Sequence, residues 1–349
     1  MDETRPVPAE EALDTARLIA WLGEHLGLGE GEVRLARFSG GHANLTYLLV
    51  VGGQEVVVRR PPLGPVASGA HDMGREHRVL SVLHRAFPLA PRSLAYCDDV
   101  SIIGAPFLVA ERRHGIAIAG DLPEAFHNRP DIAAGIGAML IDTLAALHRI
   151  DTTKLGLDTL GHPEGFLARQ LEGWRRRWDA ALDRPYPEAE ALLSRLAAAM
   201  PASPAPALLH NDFKLDNILV DPADPSLPRA VLDWDMATRG DKLLDLGYLL
   251  TYWAEPSDPP EWIEAASMPT WRDGFPTRAE ATARYAAATG TDVAAIAWYQ
   301  AFAAFKLAVI IQQIFIRYAR GQTTDPRFAH FDRRVAALIA KAAAQAARL

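Results

Sequence analysis

The polar and apolar positions change rhythm about a third of the way along this chain. Asp14 to Leu26 predicts a helix, with Leu18, Leu22 and Leu26 at i, i+4 and i+8 and Gly27 as its stop. Three short runs follow, Val33–Phe38, Leu45–Val51 and Gln54–Arg59, separated by Gly40-Gly41 and Gly52-Gly53. β-branched and apolar residues bounded by paired glycines predict a small antiparallel sheet. A helix from about residue 71 to 86 carries Val79, Leu80 and Leu83 on one face, and strands are expected over Ala95–Asp99 and Phe107–Glu111.

Beyond residue 113 the period becomes helical. Asp131 to His148 places Ile136, Leu140, Leu144 and Leu147 on one face, a helical insertion occupies about 155–205, and further helices are expected over Val293–Arg320 and Asp332–Leu349. Ala301 to Ile316 is the longest apolar stretch, but Lys306, Gln312 and Gln313 interrupt it and it is shorter than a membrane span, so it reads as a buried helix. Trp253, Trp262, Trp271 and Trp298 are expected in the core or in a pocket wall.

Three apolar runs break this helical half: Pro206–His210, Asn217–Asp221 and Arg229–Asp233. Between the first two lies His210-Asn211-Asp212-Phe213-Lys214-Leu215-Asp216-Asn217, and the third runs into Leu232-Asp233-Trp234-Asp235. The turn-rich Pro222–Pro228 joining the last two predicts a hairpin that brings Asn217 and Asp233 together. An isolated loop Asp is usually a turn or cap residue. Here the joint spacing points instead to phosphoryl transfer, which needs a carboxylate to orient an attacking hydroxyl and hard oxygen ligands for Mg²⁺. Asp212 is assigned the first role, Asn217 and Asp233 the second. Asp235 is either a further site acid or a solvated strand-end residue. Lys214 either neutralises the transferring phosphate or is solvated, and His210 is expected to hold loop backbone. His148 is expected to be a helix-terminal cation.

These motifs resemble the aminoglycoside phosphotransferase-like kinases, whose signature is His-Gly-Asp-x-x-x-x-Asn followed by Leu/Ile-Asp-Trp-Asp/Glu. Val58-Arg59-Arg60-Pro61-Pro62 and Gly240–Leu246 are similar to the branch fused to some acyl-CoA dehydrogenases. The resemblance implies an α+β, bilobal protein kinase-like fold: an antiparallel-sheet nucleotide lobe over 1–113 and a larger, mostly helical lobe over 114–349. It implies ATP as phosphoryl donor, with GTP left open. Ser39, Gly40 and Gly41 would cover the phosphates, Arg59 with Glu76 would steady them, and the Glu111 strand end would lie at the adenine-reading hinge. The chain departs from the family at two positions. Arginine replaces lysine on the phosphate-binding strand, where alternation favours Arg59 over Arg60 as the inward residue, and Asn211 replaces glycine.

Composition narrows the partners. A net charge of −7 provides no broad basic field for nucleic acid, and Cys97 is alone among 349 residues, which excludes an intrachain disulfide and a cysteine-rich zinc site. The polar, acidic first residues do not read as a secretory signal, and the expected setting is cytoplasmic, without a membrane. The resemblance implies a small-molecule hydroxyl acceptor as the partner. Arg175-Arg176-Arg177 beside Trp174 and Trp178 favours a hydroxyacyl-CoA-like acceptor, whereas the acidic stretch Glu255, Asp258, Glu261 and Glu264 suits an aminoglycoside. A nucleotide-binding pseudokinase that regulates a partner is the alternative of another class. The Ala-rich Val335–Ala347 is a packed helix or a homodimer contact.

Overall fold

The computed structural model describes residues 4–39, 44–64 and 71–349. The chain divides into two compact units, Met1–Gly115 with Pro228–Ala237, and Ile116–Leu227 with Thr238–Leu349. The sequence-based boundary at 113 did not foresee that Pro228–Ala237 belongs with the first unit. That segment carries Asp233, and its β-strand donates the Val231 N–H to Leu89 O at 2.8 Å.

In the first unit, strands β1 (Thr4–Arg5), β2 (Val33–Phe38), β3 (Leu45–Val51), β4 (Gln54–Arg60), β5 (Ser93–Cys97) and β6 (Phe107–Glu111) form one sheet in the order β1-β2-β3-β4-β6-β5. Every pairing is antiparallel. Helix α1 (Thr15–Leu26) starts where Asp14 accepts the Arg17 N–H and stops at Gly27, whose φ of 68° is the left-handed conformation glycine tolerates. Leu18 and Leu22 are fully buried against Tyr47, Leu49, Val56, Val58 and Phe107. Each such side chain contributes roughly 1.5–3 kcal/mol through burial. Strand alternation turns Val56, Val58 and Arg60 into this core and Val57 and Arg59 to the opposite face. Helix α2 (Met73–Leu83), capped by Asp72, and the short α3 (Val100–Ile103) complete the sheet's surroundings, and β10 (Pro228–Val231) joins from the distant segment.

The second unit is mainly helical: α4 (Pro130–His148), α5 (Phe166–Ala181), α6 (Pro187–Ala198), α7 (Leu243–Tyr252), α8 (Pro260–Ala265), α9 (Arg278–Thr289), α10 (Ile296–Ala319) and α11 (Phe331–Ala346). Its short strands are β7 (Ile116–Ala117), β8 (Ala207–Leu209), β9 (Ile218–Val220) and β11 (Thr238–Gly240), with β7 antiparallel to β9 and β11 to β8. The Asp221 N–H bonds to Leu227 O at 2.9 Å and closes the turn expected there. Helices α4 and α10 are long and apolar enough to cross a membrane by length and composition alone. Helix α10 agrees with the buried helix expected over Val293–Arg320, and it continues through the polar residues that interrupt Ala301–Ile316. Most of α10 is buried against α5, α7 and α11. Trp253 and Trp298 are fully buried, whereas Trp262 and Trp271 are partly exposed.

Candidate active site

The loop after β8 is shaped by a buried carboxylate. Asp245, on the first turn of α7, accepts the His210 N–H at 2.6 Å through Oδ2 and the Asn211 N–H at 2.8 Å through Oδ1. The His148 Nε2 lies 3.3 Å from Asp245 Oδ2, and its Nδ1 lies 2.6 Å from the Tyr285 hydroxyl. Burial pushes the Asp245 carboxyl up, but the hydrogen bond and charge of His148, aided by His210, outweigh it and leave the group below its ordinary value. Asn211 takes φ 65°, a left-handed turn that asparagine tolerates better than most residues.

Asp212 follows, and Asn217 reaches back to it. The Asn217 Nδ2 donates to Asp212 O at 2.7 Å and to Asp212 Oδ2 at 2.8 Å. The loop therefore brings two of the expected site residues into contact. Lys214 Nζ lies 3.3 Å from Asp212 Oδ2 and 3.6 Å from Asp216 Oδ2, so it is paired rather than solvated. Burial opposes the Lys214 charge, but Asp212 and Asp216 more than compensate and raise its pKa. Asp216 is itself raised, chiefly by burial. His210 is buried, and its Nδ1 accepts the Asp212 N–H at 3.3 Å, the backbone-holding role expected of it.

Asp233 lies in the first unit, two residues beyond β10 rather than at its last residue, with φ 68°. Trp234, fully buried, donates Nε1–H to Val231 O at 2.8 Å and fixes this turn. The Arg59 Nη2 donates to Asp233 Oδ1 at 2.7 Å, and its Nε lies 3.2 Å from Glu76 Oε2. Register places Arg59 opposite Thr46 and Leu108, whereas Arg60 is turned away and donates to Ile103 O at 2.6 Å. One guanidinium thus serves several acids. Arg59 stays charged despite burial because Glu76, Asp233 and Asp235 favour its cation, while burial carries the Glu76 carboxyl up to about 7 in spite of Arg59.

Asp235 is buried rather than solvated. It accepts from Asn44 Nδ2 at 3.0 Å, lies 3.8 Å from His71 Nδ1, and its carbonyl accepts from Arg75 at 3.2 Å. Burial and the charge of Asp233 raise its pKa. Ser39 is exposed at the end of β2, and Gly40 and Gly41 lie outside the described residues. The Glu111 carboxylate accepts the Arg92 N–H at 3.0 Å and lies 3.1 Å from Arg113 Nε, and the Glu111 N–H is bonded to Arg92 O. These strand and ion-pair contacts occupy the Glu111 side chain.

The donor sets in each unit suit a magnesium–nucleotide. Asn217 points its nitrogen at Asp212, and its Oδ1 makes no hydrogen bond among the described residues. Asp233 supplies carboxylate oxygens, the hard ligands Mg²⁺ accepts. Among the described residues no cluster of three or more His, Cys, Asp or Glu is arranged as a metal cage. Magnesium commonly takes one or two protein oxygens and completes its shell with phosphate and water. The Arg59 guanidinium is committed to two acids, with Nε 3.2 Å from Glu76 and Nη2 on Asp233, which leaves Nη1 as the nitrogen with no acid partner among the described residues.

Three contributors were not legible as site residues. His148 read as a helix-terminal cation, Tyr285 lies in a helix with no motif, and Lys306 read only as a break in an apolar run. Their signal is a polar side chain on an otherwise apolar helical face. Elsewhere, Trp174 and Trp178 are buried, and Arg177 stacks on Trp174 at 4.4 Å while Arg175 and Arg176 pair with Glu190 and Glu172. In the acidic stretch, Glu255 and Asp258 are tied to Arg278 at 2.9 and 2.6 Å.

Residues 34–302 match the model of the phosphotransferase enzyme family. The chain belongs to that family, a two-lobed, kinase-like phosphotransferase of the small-molecule class. It is 33% identical over 341 residues to acyl-CoA dehydrogenase family member 11 of Rattus norvegicus, covering 93% of this chain and 42% of the relative. Family member 10 of Mus musculus is 30% identical, covering 92% of this chain and 30% of the relative. The chain therefore spans well under half the length of these curated relatives. Among solved structures, a proposed aminoglycoside phosphotransferase from Ralstonia eutropha JMP134 is similar with a TM-score of 0.83 and 27% identity, covering 97% of this chain and 99% of the other. Aminoglycoside phosphotransferase APH(4)-Ia, in complex with AMP-PNP and hygromycin B, shares the fold with a TM-score of 0.58 and 18% identity, covering 93% and 98%.

Proposed function

We propose that this protein transfers the γ-phosphoryl group of ATP to a hydroxyl of a small molecule. The observation that carries the reading is the Asp212 carboxylate, held through Asn217 on a loop whose backbone is pinned by Asp245. Phosphoryl transfer rests mainly on positioning and charge neutralisation, and this loop provides both. In the reaction the acceptor oxygen forms a bond to the γ-phosphorus as the bond to the β,γ-bridging oxygen breaks. ADP departs, and the hydroxyl proton passes to the Asp212 carboxylate. Asn217 in the second unit and Asp233 in the first each offer an oxygen of the kind Mg²⁺ takes, and magnesium would supply neutralisation of the phosphate oxygens. Arg59, steadied by Glu76, binds the triphosphate.

For the acceptor, an amino-sugar hydroxyl has the better support, from the fold likeness to aminoglycoside phosphotransferases over nearly the whole chain. A hydroxyacyl-CoA is the second reading, favoured by the likeness to acyl-CoA dehydrogenase family members. The residues that first suggested either acceptor are partly committed elsewhere, since Trp174 and Trp178 are core and Glu255 and Asp258 bind Arg278. A mass-spectrometric screen for Mg²⁺-dependent transfer from ATP, with GTP in parallel, tests aminoglycosides and hydroxyacyl-CoAs together. A phosphorylated product from wild type and none from Asp212→Asn supports the reading. Nucleotide binding without any product across the screen favours a pseudokinase.

A further inference from the structure

Lys306 sits in the middle of α10 with 6% of its surface exposed. Its Nζ lies 3.7 Å from the centroid of the Tyr248 ring and 5.3 Å from that of Trp174. It donates to the Asn211 carbonyl at 3.4 Å, the hydrogen-bond acceptor it has among the described residues. An aliphatic residue would fill this place between two aromatic rings without the desolvation cost of a buried amine. The amine therefore calls for a reason.

The reason lies in the peptide plane it touches. The Asn211 carbonyl and the Asp212 N–H belong to one rigid peptide unit. Lys306 holds its carbonyl end and His210 Nδ1 accepts from its amide end at 3.3 Å. The preceding plane is held through the Asn211 N–H by Asp245 at 2.8 Å. The two contacts bracket Asn211, the residue in the left-handed region, and so set the direction in which Asp212 leaves the turn. We infer that Lys306 is a positioning residue, which orients Asp212 by clamping the Asn211–Asp212 peptide.

The charged groups acting on Lys306 agree with a clamp near the reacting carboxylate. Burial lowers its pKa to about 8, Asp212 on the loop and Asp245 on α7 raise it, and Arg177 on α5 and Lys214 on the loop lower it. Lys341 provides an internal comparison. It is likewise buried and lowered to about 8, but it donates to Thr251 O at 2.8 Å and lies 5.3 Å from the Trp262 ring. It touches no residue of the 210–217 loop by hydrogen bond.

The inference rests on the proposed role of Asp212, and its test separates the two. Hydrogen exchange of the peptide covering residues 208–216 is compared in wild type, Lys306→Met, Lys306→Arg and Lys341→Met, alongside kcat and KM for Mg²⁺-ATP consumption. Lys306→Met is expected to speed loop exchange about 10-fold with α4 and α11 unchanged. It should also lower kcat about 10- to 100-fold at constant KM for ATP. Lys306→Arg should restore part of both, and Lys341→Met should leave the loop as in wild type. If Lys306→Met does not fold, Lys306→Gln, which keeps a donor but loses reach, carries the same comparison. Unchanged loop exchange, or the same acceleration in Lys341→Met, overturns the inference. Faster loop exchange with undiminished kcat overturns the positioning role. Faster loop exchange in a protein whose wild type consumes no ATP upholds the clamp and contradicts the proposed function instead.

Discussion

The side-chain nitrogen of Asn217 spans Asp212, donating to its backbone carbonyl and to its carboxylate at 2.7 and 2.8 Å. One amide thereby fixes the orientation of the acid and leaves its own oxygen for the metal role proposed above. Asn217→Ala is expected to remove both services. Turnover should fall by about 10²-fold or more, as for loss of a positioned acid–base group, and half-saturation should require more Mg²⁺. A magnesium titration of ATP consumption checks this, and an unchanged titration midpoint would remove the metal role.

Asp245 predicts a stability effect with a defined pH dependence. Its native-state pKa lies below the ordinary 3.8, so its contribution is fully present above about pH 4 and is lost as pH falls through the depressed native value. Asp245→Asn leaves at least one of the two loop amides without a strong acceptor in a buried setting. The expected loss is about 2–4 kcal/mol at neutral pH, with a shallower decline of stability below pH 4. Urea unfolding of both proteins between pH 2.5 and pH 7 measures it, and parallel acid limbs would contradict the account.

Much of this arrangement could be read before the fold was in hand. The 210–217 and 232–235 motifs have fixed local spacing, and strand alternation puts Arg59 and Arg60 on opposite faces and favours Arg59, though the choice between them is made by the fold. His148, Tyr285 and Lys306 were not legible, since each acts across a helix interface whose pairing no local period specifies. Trp174 with its three arginines misled for a related reason. Helical spacing says which residues share a face, but not whether that face meets solvent or α10.

Arg59 is the point at which this chain departs from the lysine of the wider family. With contacts to Asp233 and Glu76 already made, removing it leaves the buried Glu76 and the half-buried Asp233 without their shared cation. Arg59→Met should weaken ATP binding more than about 10-fold and lower stability by about 3 kcal/mol or more. Arg59→Lys should recover only part, because a compact ammonium cannot span both acids as a planar fork does. Calorimetric titration with ATP and thermal melts of both variants distinguish these outcomes.

Asp258 lies at the centre of the acidic stretch and carries a different expectation. It accepts from Arg278 Nη1 at 2.6 Å and from the Glu255 N–H at 2.9 Å, which marks it as a structural acid of the α9 start. Asp258→Ala should cost about 2–4 kcal/mol and leave the KM of a cationic acceptor unchanged. A raised KM at unaltered stability would return this stretch to the acceptor site.

The central claim is that Asp212 acts on the acceptor and not on the nucleotide. Its most direct test measures, on the same preparations of wild type and Asp212→Asn, the affinity for Mg²⁺-ATP by calorimetry and the rate of γ-phosphoryl transfer by rapid quench. The account predicts ATP affinities equal within about threefold and a transfer rate about 10³-fold lower in the variant. Equal transfer rates, or a loss of rate explained entirely by lost ATP affinity, would contradict it.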